Sequence, residues 1–84
     1  MEIINTLKQL NRILLNGDNM GLDALANYKG DLNELDDMNR SPLHYACAGN
    51  NPDLIKDLVS RGANLNATDI DLLTPLTFAA SDRG

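Results

Sequence analysis

The side chains able to do chemistry are few. His44 is the single histidine and Cys47 the single cysteine in a chain of 84 residues. A general base or nucleophile needs a partner group within hydrogen-bond reach. The segment around His44 offers no second histidine, no cysteine pair and no carboxylate at ligand spacing. One His and one Cys also fall short of a zinc site, which takes three or four N, S or O ligands. Asp36, Asp37, Asp69 and Asp71 are the remaining candidates. A calcium loop needs a denser Asp/Asn ladder with a central Gly and a distal Glu, and that spacing is absent. There is no phosphate-cradling glycine loop and no Gly-x-Ser-x-Gly elbow. No catalytic residue, cofactor site or metal ligand is therefore assigned, and the chain reads as a non-enzyme. Cys47 reads instead as a small packed hydrophobe.

The composition narrows the partners. The formal net charge of -5 argues against phosphate-backbone binding, which needs clustered Lys and Arg. No apolar run approaches the ~18 residues of a membrane span, so no membrane insertion is expected. A lone cysteine cannot form an internal disulfide and fits a reducing compartment. The start, MEIINTLKQL, lacks a basic n-region, a long apolar block and a small-residue cleavage site. A cytoplasmic location follows as the expectation. A chain this short buries a modest core, so its stability should be marginal.

The elements that must position these residues come from a repeat. Ser41-Pro42-Leu43-His44 recurs as Thr74-Pro75-Leu76-Thr77, an offset of 33 residues. The same offset carries Asp36 to Asp69, Ala46 to Ala79, Asn33 to Asn66 and Leu32 to Leu65. Moving back by the same step takes Leu43 to Leu10, Leu58 to Leu25 and Asn50 to Gly17. A fixed period of this length marks a repeat protein. One domain over 1–84 follows, with units of about 3–35, 36–68 and 69–84.

Each unit reads as helix, turn, helix. Ser41-Pro42 starts a helix over 42–48, Ser as a cap and Pro pre-set for the first helical position. Gly49-Asn50-Asn51 should break it, because Gly and Asn tolerate left-handed backbone. Pro52-Asp53 starts a second helix whose Leu54, Ile55, Leu58 and Val59 form one apolar stripe. Arg61-Gly62 should end it with a left-handed glycine. The first unit begins directly with an amphipathic helix carrying Ile3, Ile4, Leu7, Leu10, Ile13 and Leu14, with Asn5, Lys8, Gln9, Asn11 and Arg12 between them. One polar face is what a capping repeat requires. Its second helix is expected near 20–27, with Leu22, Leu25 and Ala26 inward.

Residues 36–68, DDMNRSPLHYACAGNNPDLIKDLVSRGANLNAT, resemble an ankyrin repeat. Ser-Pro-Leu-His matches the family's Thr-Pro-Leu-His, and Arg61-Gly62-Ala63-Asn64-Leu65-Asn66-Ala67 matches its Gly-Ala-Asp-Val-Asn-Ala exit. The resemblance implies an all-α helical solenoid of about two and a half stacked helix-turn-helix units, with loops projecting from one edge. It makes His44 structural, bonded to the Ser41 side chain and nearby backbone, and puts Asp36 and Asp69 at loop starts, bonding neighbouring amides. Tyr45 and Phe78 recur at one place in successive units and read as inter-repeat packing. Cys47 stands where the family usually has Ala. Asn39 replaces the family's usual loop Gly and still tolerates positive φ. Leu72 stands at the same place in the next loop and tolerates it poorly, so a standard tight turn at 69–73 is not expected. Thr77 replaces the motif's His.

In this family the loop tips and the exposed faces of first helices bind other proteins. That implies a protein–protein interaction module with no catalysis. The expected contact residues are Asp37, Met38, Arg40, Ile70, Asp71 and Leu73 on the loops, with Ala48 and Ser81 on the helix face. The alternative makes these repeats the N-terminal targeting part of a longer protein, such as a channel, a modifying enzyme or a pathogen effector. The C-terminal unit lacks a partner helix, so Leu54, Leu58 and Val59 are expected to be covered on one side only. Each apolar side chain left wet costs roughly 1.5–3 kcal/mol. Following sequence or a second copy should cover that end, the latter as a homodimer through the C-terminal unit.

Overall fold

A computed structural model describes residues 6–81. The expected positions of Ile3, Ile4 and Asn5, and of Asp82, Arg83 and Gly84, lie outside the described residues. Those described form five helices: α1 (Leu7–Leu15), α2 (Met20–Asn27), α3 (Pro42–Ala48), α4 (Pro52–Ser60) and α5 (Pro75–Ala80). Among them there is no strand.

Local chemistry explains the boundaries. The orphan amides at three helix starts are met by side chains: Gln9 N–H donates to Thr6 Oγ1 at 3.2 Å, Asp53 N–H to Asn51 Oδ1 at 3.0 Å and Thr77 N–H to Thr74 Oγ1 at 3.3 Å. Pro42, Pro52 and Pro75 each open a helix where the missing N–H costs nothing. α4 ends as expected: Gly62 takes φ +92, Gly62 N–H bonds Val59 O at 3.0 Å and Ala63 N–H bonds Leu58 O at 3.1 Å. That bond pair is the Schellman motif.

The turn after α3 corrects the expectation in one respect. Asn50, at φ +57, supplies the left-handed residue, while Gly49 keeps right-handed helical angles. Gly49 is there for space. A Cβ on it would sit 2.2 Å from Leu14 O, where the end of α1 passes.

The helices stack in two rows. α1 packs on α3 and α3 on α5, while α2 packs on α4; α1–α2 and α3–α4 are the antiparallel pairs. Leu10, Leu14, Leu25, Leu43, Leu54 and Leu58 form the core, each at most 1% exposed. Leu54 and Leu58 are fully buried, which overturns the one-sided covering expected of them. Their stripe faces back toward the preceding pair: a Cβ on Gly21 of α2 would meet Leu54 Cδ2 at 2.7 Å. Of that stripe Val59 alone is exposed, and Ile55 is half-buried. In α2, Gly21, Ala24 and Leu25 face inward, whereas Leu22 and Ala26 are exposed, against expectation.

Asparagines tie successive pairs at their edges. Asn51 Nδ2 donates to Gly17 O at 3.0 Å and to Asn19 Oδ1 at 2.9 Å. Asn33 bridges the next exit, donating to Gly62 O at 3.2 Å and accepting from Asn64 N–H at 2.9 Å. These bonds satisfy loop backbone that would otherwise rely on water.

Candidate interaction surface

The two projecting loops are copies of one turn. Asp36 N–H bonds Arg40 O at 3.0 Å, and Asp69 N–H bonds Leu73 O at 3.0 Å. Inside each, the aspartate Oδ1 accepts two amides: Met38 and Arg40 at 2.9 Å each for Asp36, Asp71 at 2.8 Å and Leu73 at 3.0 Å for Asp69. The fourth residue is left-handed in both, Asn39 at φ +59 and Leu72 at φ +65. The tight turn at 69–73 therefore forms, contrary to expectation. Four amide bonds to Asp69 and its neighbours hold Leu72 in a conformation its Cβ disfavours. Ile70 N–H then donates to Met38 O at 3.1 Å, which sets the two tips side by side.

Behind the tips lies a polar–aromatic cluster. His44 Nδ1 accepts the Ser41 N–H at 3.1 Å and lies 3.0 Å from Ser41 Oγ, while Nε2 reaches Leu73 O at 2.8 Å. That pattern puts the imidazole proton on Nε2. His44 thus buttresses its own helix start and the next loop. Phe78 is buried, edge-on to His44 and Tyr45 at centroid distances of 5.7 and 6.1 Å. Arg40 lies over the Phe78 ring, 4.8 Å from its centroid, with Nε 3.5 Å from Asp69 Oδ2. The Tyr45 hydroxyl donates to Asp36 Oδ2.

Charge states follow from these contacts. Burial alone would raise the Asp69 carboxyl, but the Leu73 and Asp71 amides, Arg40 and His44 outweigh it and hold the group below its ordinary value. Burial, and then the bond to Asp36, push the Tyr45 hydroxyl up. Burial likewise raises the Cys47 thiol, which is half-buried against the core.

The expected contact residues divide by environment. Asp37, Met38, Ile70 and Asp71 are exposed on the adjacent tips. Leu73 is half-buried, and its carbonyl is taken by His44 and Asp69. Arg40 is no free tip residue: its side chain is 14% exposed and tied to Asp69 and Phe78. Ala48 is half-buried on α3, and Ser81 is half-buried at the end of α5, its hydroxyl bonded to Phe78 O at 2.6 Å. Leu72, whose side chain adds to the apolar loop tip that the sequence already shows, is 80% exposed; sequence reasoning left out Leu76, 75% exposed.

It also left out an open groove of about 610 Å³ between the outer face of α1 and the segment 34–38. Leu7, Lys8, Asn11, Arg12 and Leu15 form one wall; Glu34, Leu35, Asp36, Asp37 and Met38 form the other, with Tyr45 of α3 at its side. The polar face of α1 held the signal, but nothing in the sequence showed which loop would stand opposite.

Stacked helix pairs with projecting loops, and a surface spread over tips and first helices, define a repeat scaffold that presents side chains for contact. Among the described residues no group of His, Cys, Asp or Glu could hold a metal ion, and no helix is long and apolar enough to cross a membrane.

The profile of the family described as "Ankyrin repeat" matches residues 38–70, and the chain belongs to that family. Human "Protein phosphatase 1 regulatory subunit 27" is 34% identical over 65 residues, covering 77% of this chain and 42% of that protein. Human "Transient receptor potential cation channel subfamily A member 1" is 42% identical over 48 residues, covering 57% of this chain and 4% of the channel. Among solved structures, a chain from the complex of a predatory endopeptidase of Bdellovibrio bacteriovorus with an immunity protein aligns with TM-score 0.78 at 34% identity. That alignment covers 86% of this chain and 38% of the other. The chain spans less than half the length of these relatives. Ankyrin repeats as a family mediate protein–protein interaction.

Proposed function

We propose that this chain is a non-catalytic, cytoplasmic module that binds another protein through its adjacent loop tips and the exposed faces of its first helices. Nucleic acid is not its partner. The observation that carries the reading is the pairing of the two tips through Ile70 N–H and Met38 O. It groups exposed Met38, Ile70 and Leu72 with the carboxylates of Asp37 and Asp71 on one edge. Exposed apolar side chains rimmed by charge are the make-up of a contact surface. The test is a pull-down with the intact chain and with an Ile70→Ser/Leu72→Asn variant. Loss of a captured protein with helicity retained supports the reading; capture unchanged by the variant removes the tips from it.

One further observation favours a longer parent or a second copy. Leu76 is 75% exposed, whereas Leu43, its equivalent one unit earlier, is fully buried. The position is built for a cover. In the alternative reading a following repeat supplies it and the activity lies beyond residue 84; the partial coverage of longer relatives agrees with this. In the isolated chain a second copy supplies it, through the C-terminal unit. Light scattering after size-exclusion chromatography decides between a dimer and a monomer of the isolated chain.

A further inference from the structure

Asn16 caps the C-terminal end of α1, and it is the one asparagine of the sequence that precedes a glycine, Gly17. An asparagine Cγ lies one five-membered ring away from the next residue's backbone nitrogen. Glycine leaves that nitrogen unshielded, because no Cβ crowds it. Asn16 is exposed, so water reaches its amide.

The folded turn holds the two reacting atoms apart. Asn16 keeps helical angles, φ -69 and ψ -16. Ring closure needs the Gly17 nitrogen eclipsed with Asn16 Cβ, roughly a quarter turn away in ψ and in sparsely allowed backbone. Gly17 N–H is meanwhile bonded to Leu14 O at 3.0 Å, and Gly17 O accepts Asn51 Nδ2 at 3.0 Å. Gly17 takes φ +68 and packs backbone on backbone: a Cβ on it would stand 2.3 Å from Gly49 O.

We propose that Asn16 is a spontaneous modification site, losing its side-chain amide by ring closure onto Gly17 whenever the α1–α2 turn opens locally. The Gly17 nitrogen bonds to Asn16 Cγ, the Cγ–Nδ2 bond breaks, and the Gly17 amide proton leaves with the amino group as ammonia. Water then adds to either carbonyl of the succinimide and opens it to an aspartate or an isoaspartate. The aspartate keeps the main-chain length and adds a carboxylate at the C-terminal end of α1, where the helix dipole disfavours it modestly. The isoaspartate routes the main chain through the former side chain, one methylene longer. The close contact of Gly17 with Gly49 has no slack for that, so the seam between the first two units loosens.

The intact chain is incubated at neutral pH, folded and in guanidinium, and mapped by peptide mass spectrometry, with isoaspartate methyltransferase to score the isomer. In guanidinium Asn16 should convert faster than every other asparagine. In the folded chain conversion should continue but run roughly tenfold or more slower, in proportion to the time the turn is open. Asn51→Asp keeps the oxygen that caps Asp53 N–H but loses the donor to Gly17 O and Asn19 Oδ1. It should speed conversion in the folded chain and leave the rate in guanidinium unchanged. Asn16→Gln, whose ring would be six-membered, should slow the reaction sharply in both. The isoaspartate form, separated by ion exchange, should melt below the Asn16→Asp variant. No preferential conversion at Asn16 in guanidinium would overturn the site. Equal folded and unfolded rates, no folded conversion at all, or a folded rate indifferent to Asn51→Asp would overturn gating by the turn. An isoaspartate form as stable as Asn16→Asp would overturn the loosened seam.

Discussion

Leu72 should cost this protein stability, and replacing it with asparagine should return that stability. The residue sits at φ +65 at the corner of the second loop, where Asn39 sits at φ +59 in the first. A non-glycine side chain in left-handed backbone loses roughly 1–2 kcal/mol to the clash between Cβ and carbonyl. Asparagine largely escapes the penalty by local hydrogen bonding. The leucine recovers little by burial, because it is 80% exposed. With a full leucine burial worth about 1.5–3 kcal/mol, the remaining fifth is worth a few tenths to about 0.6. Leu72→Asn should therefore stabilise by about 1 kcal/mol, and Tm should rise by roughly 4–8 °C for a domain of this size. The reciprocal change, Asn39→Leu, should lower Tm by a similar amount, and Leu72→Val should also lower it, since branching at Cβ worsens the clash. Thermal unfolding followed by circular dichroism at 222 nm is the assay, with urea unfolding to give the free energy. An unchanged or lowered Tm for Leu72→Asn would refute the strain argument. A residue that costs stability at an exposed position also fits a contact role, so the stabilised variant should bind its partner less well.

Three other predictions concern packing and charge. Gly49→Ala should destabilise sharply, since its Cβ would stand 2.2 Å from Leu14 O and backbone on backbone has no cheap escape; a Tm within a degree or two of wild type would remove the close-approach argument. Cys47 should react slowly with a thiol reagent under native conditions and fast in denaturant, because burial raises its thiol and shields it; equal rates would sink the packing claim. Asp69 has a folded-state pKa below its unfolded value of about 3.9, so its stabilisation is present above that pH and fades as pH falls through the folded value. Asp69→Asn should lower the urea midpoint at pH 7 and narrow its difference from wild type at pH 3; a constant difference would mean that the charge contributes nothing.

The repeat period, the Ser-Pro and Thr-Pro helix starts and the Arg61-Gly62 exit were legible in the sequence because each is local chemistry. A proline fits the first helical turn, and a glycine ends one, wherever the chain goes next. The aspartates at 36 and 69 were legible for the same reason, since each bonds amides two and four residues along. Recurrence also placed Tyr45 and Phe78 between repeats. What the sequence could not decide was which face each stripe meets. Leu54 and Leu58 turned inward to α2 and became fully buried, and Leu22 and Ala26 turned out to solvent, because rotation about a helix axis is set by neighbours rather than by spacing. Arg40 reads as a free loop charge until Phe78 and Asp69, far along the chain, close over it. The turn at Leu72 went against local preference because amide bonds to Asp69, together with His44 holding the Leu73 carbonyl from another unit, fix the backbone there. The groove likewise exists only because stacking brings residues 34–38 opposite α1. Signals confined to a few adjacent residues survive folding unchanged, whereas burial and charge pairing depend on partners that only the stacked chain supplies.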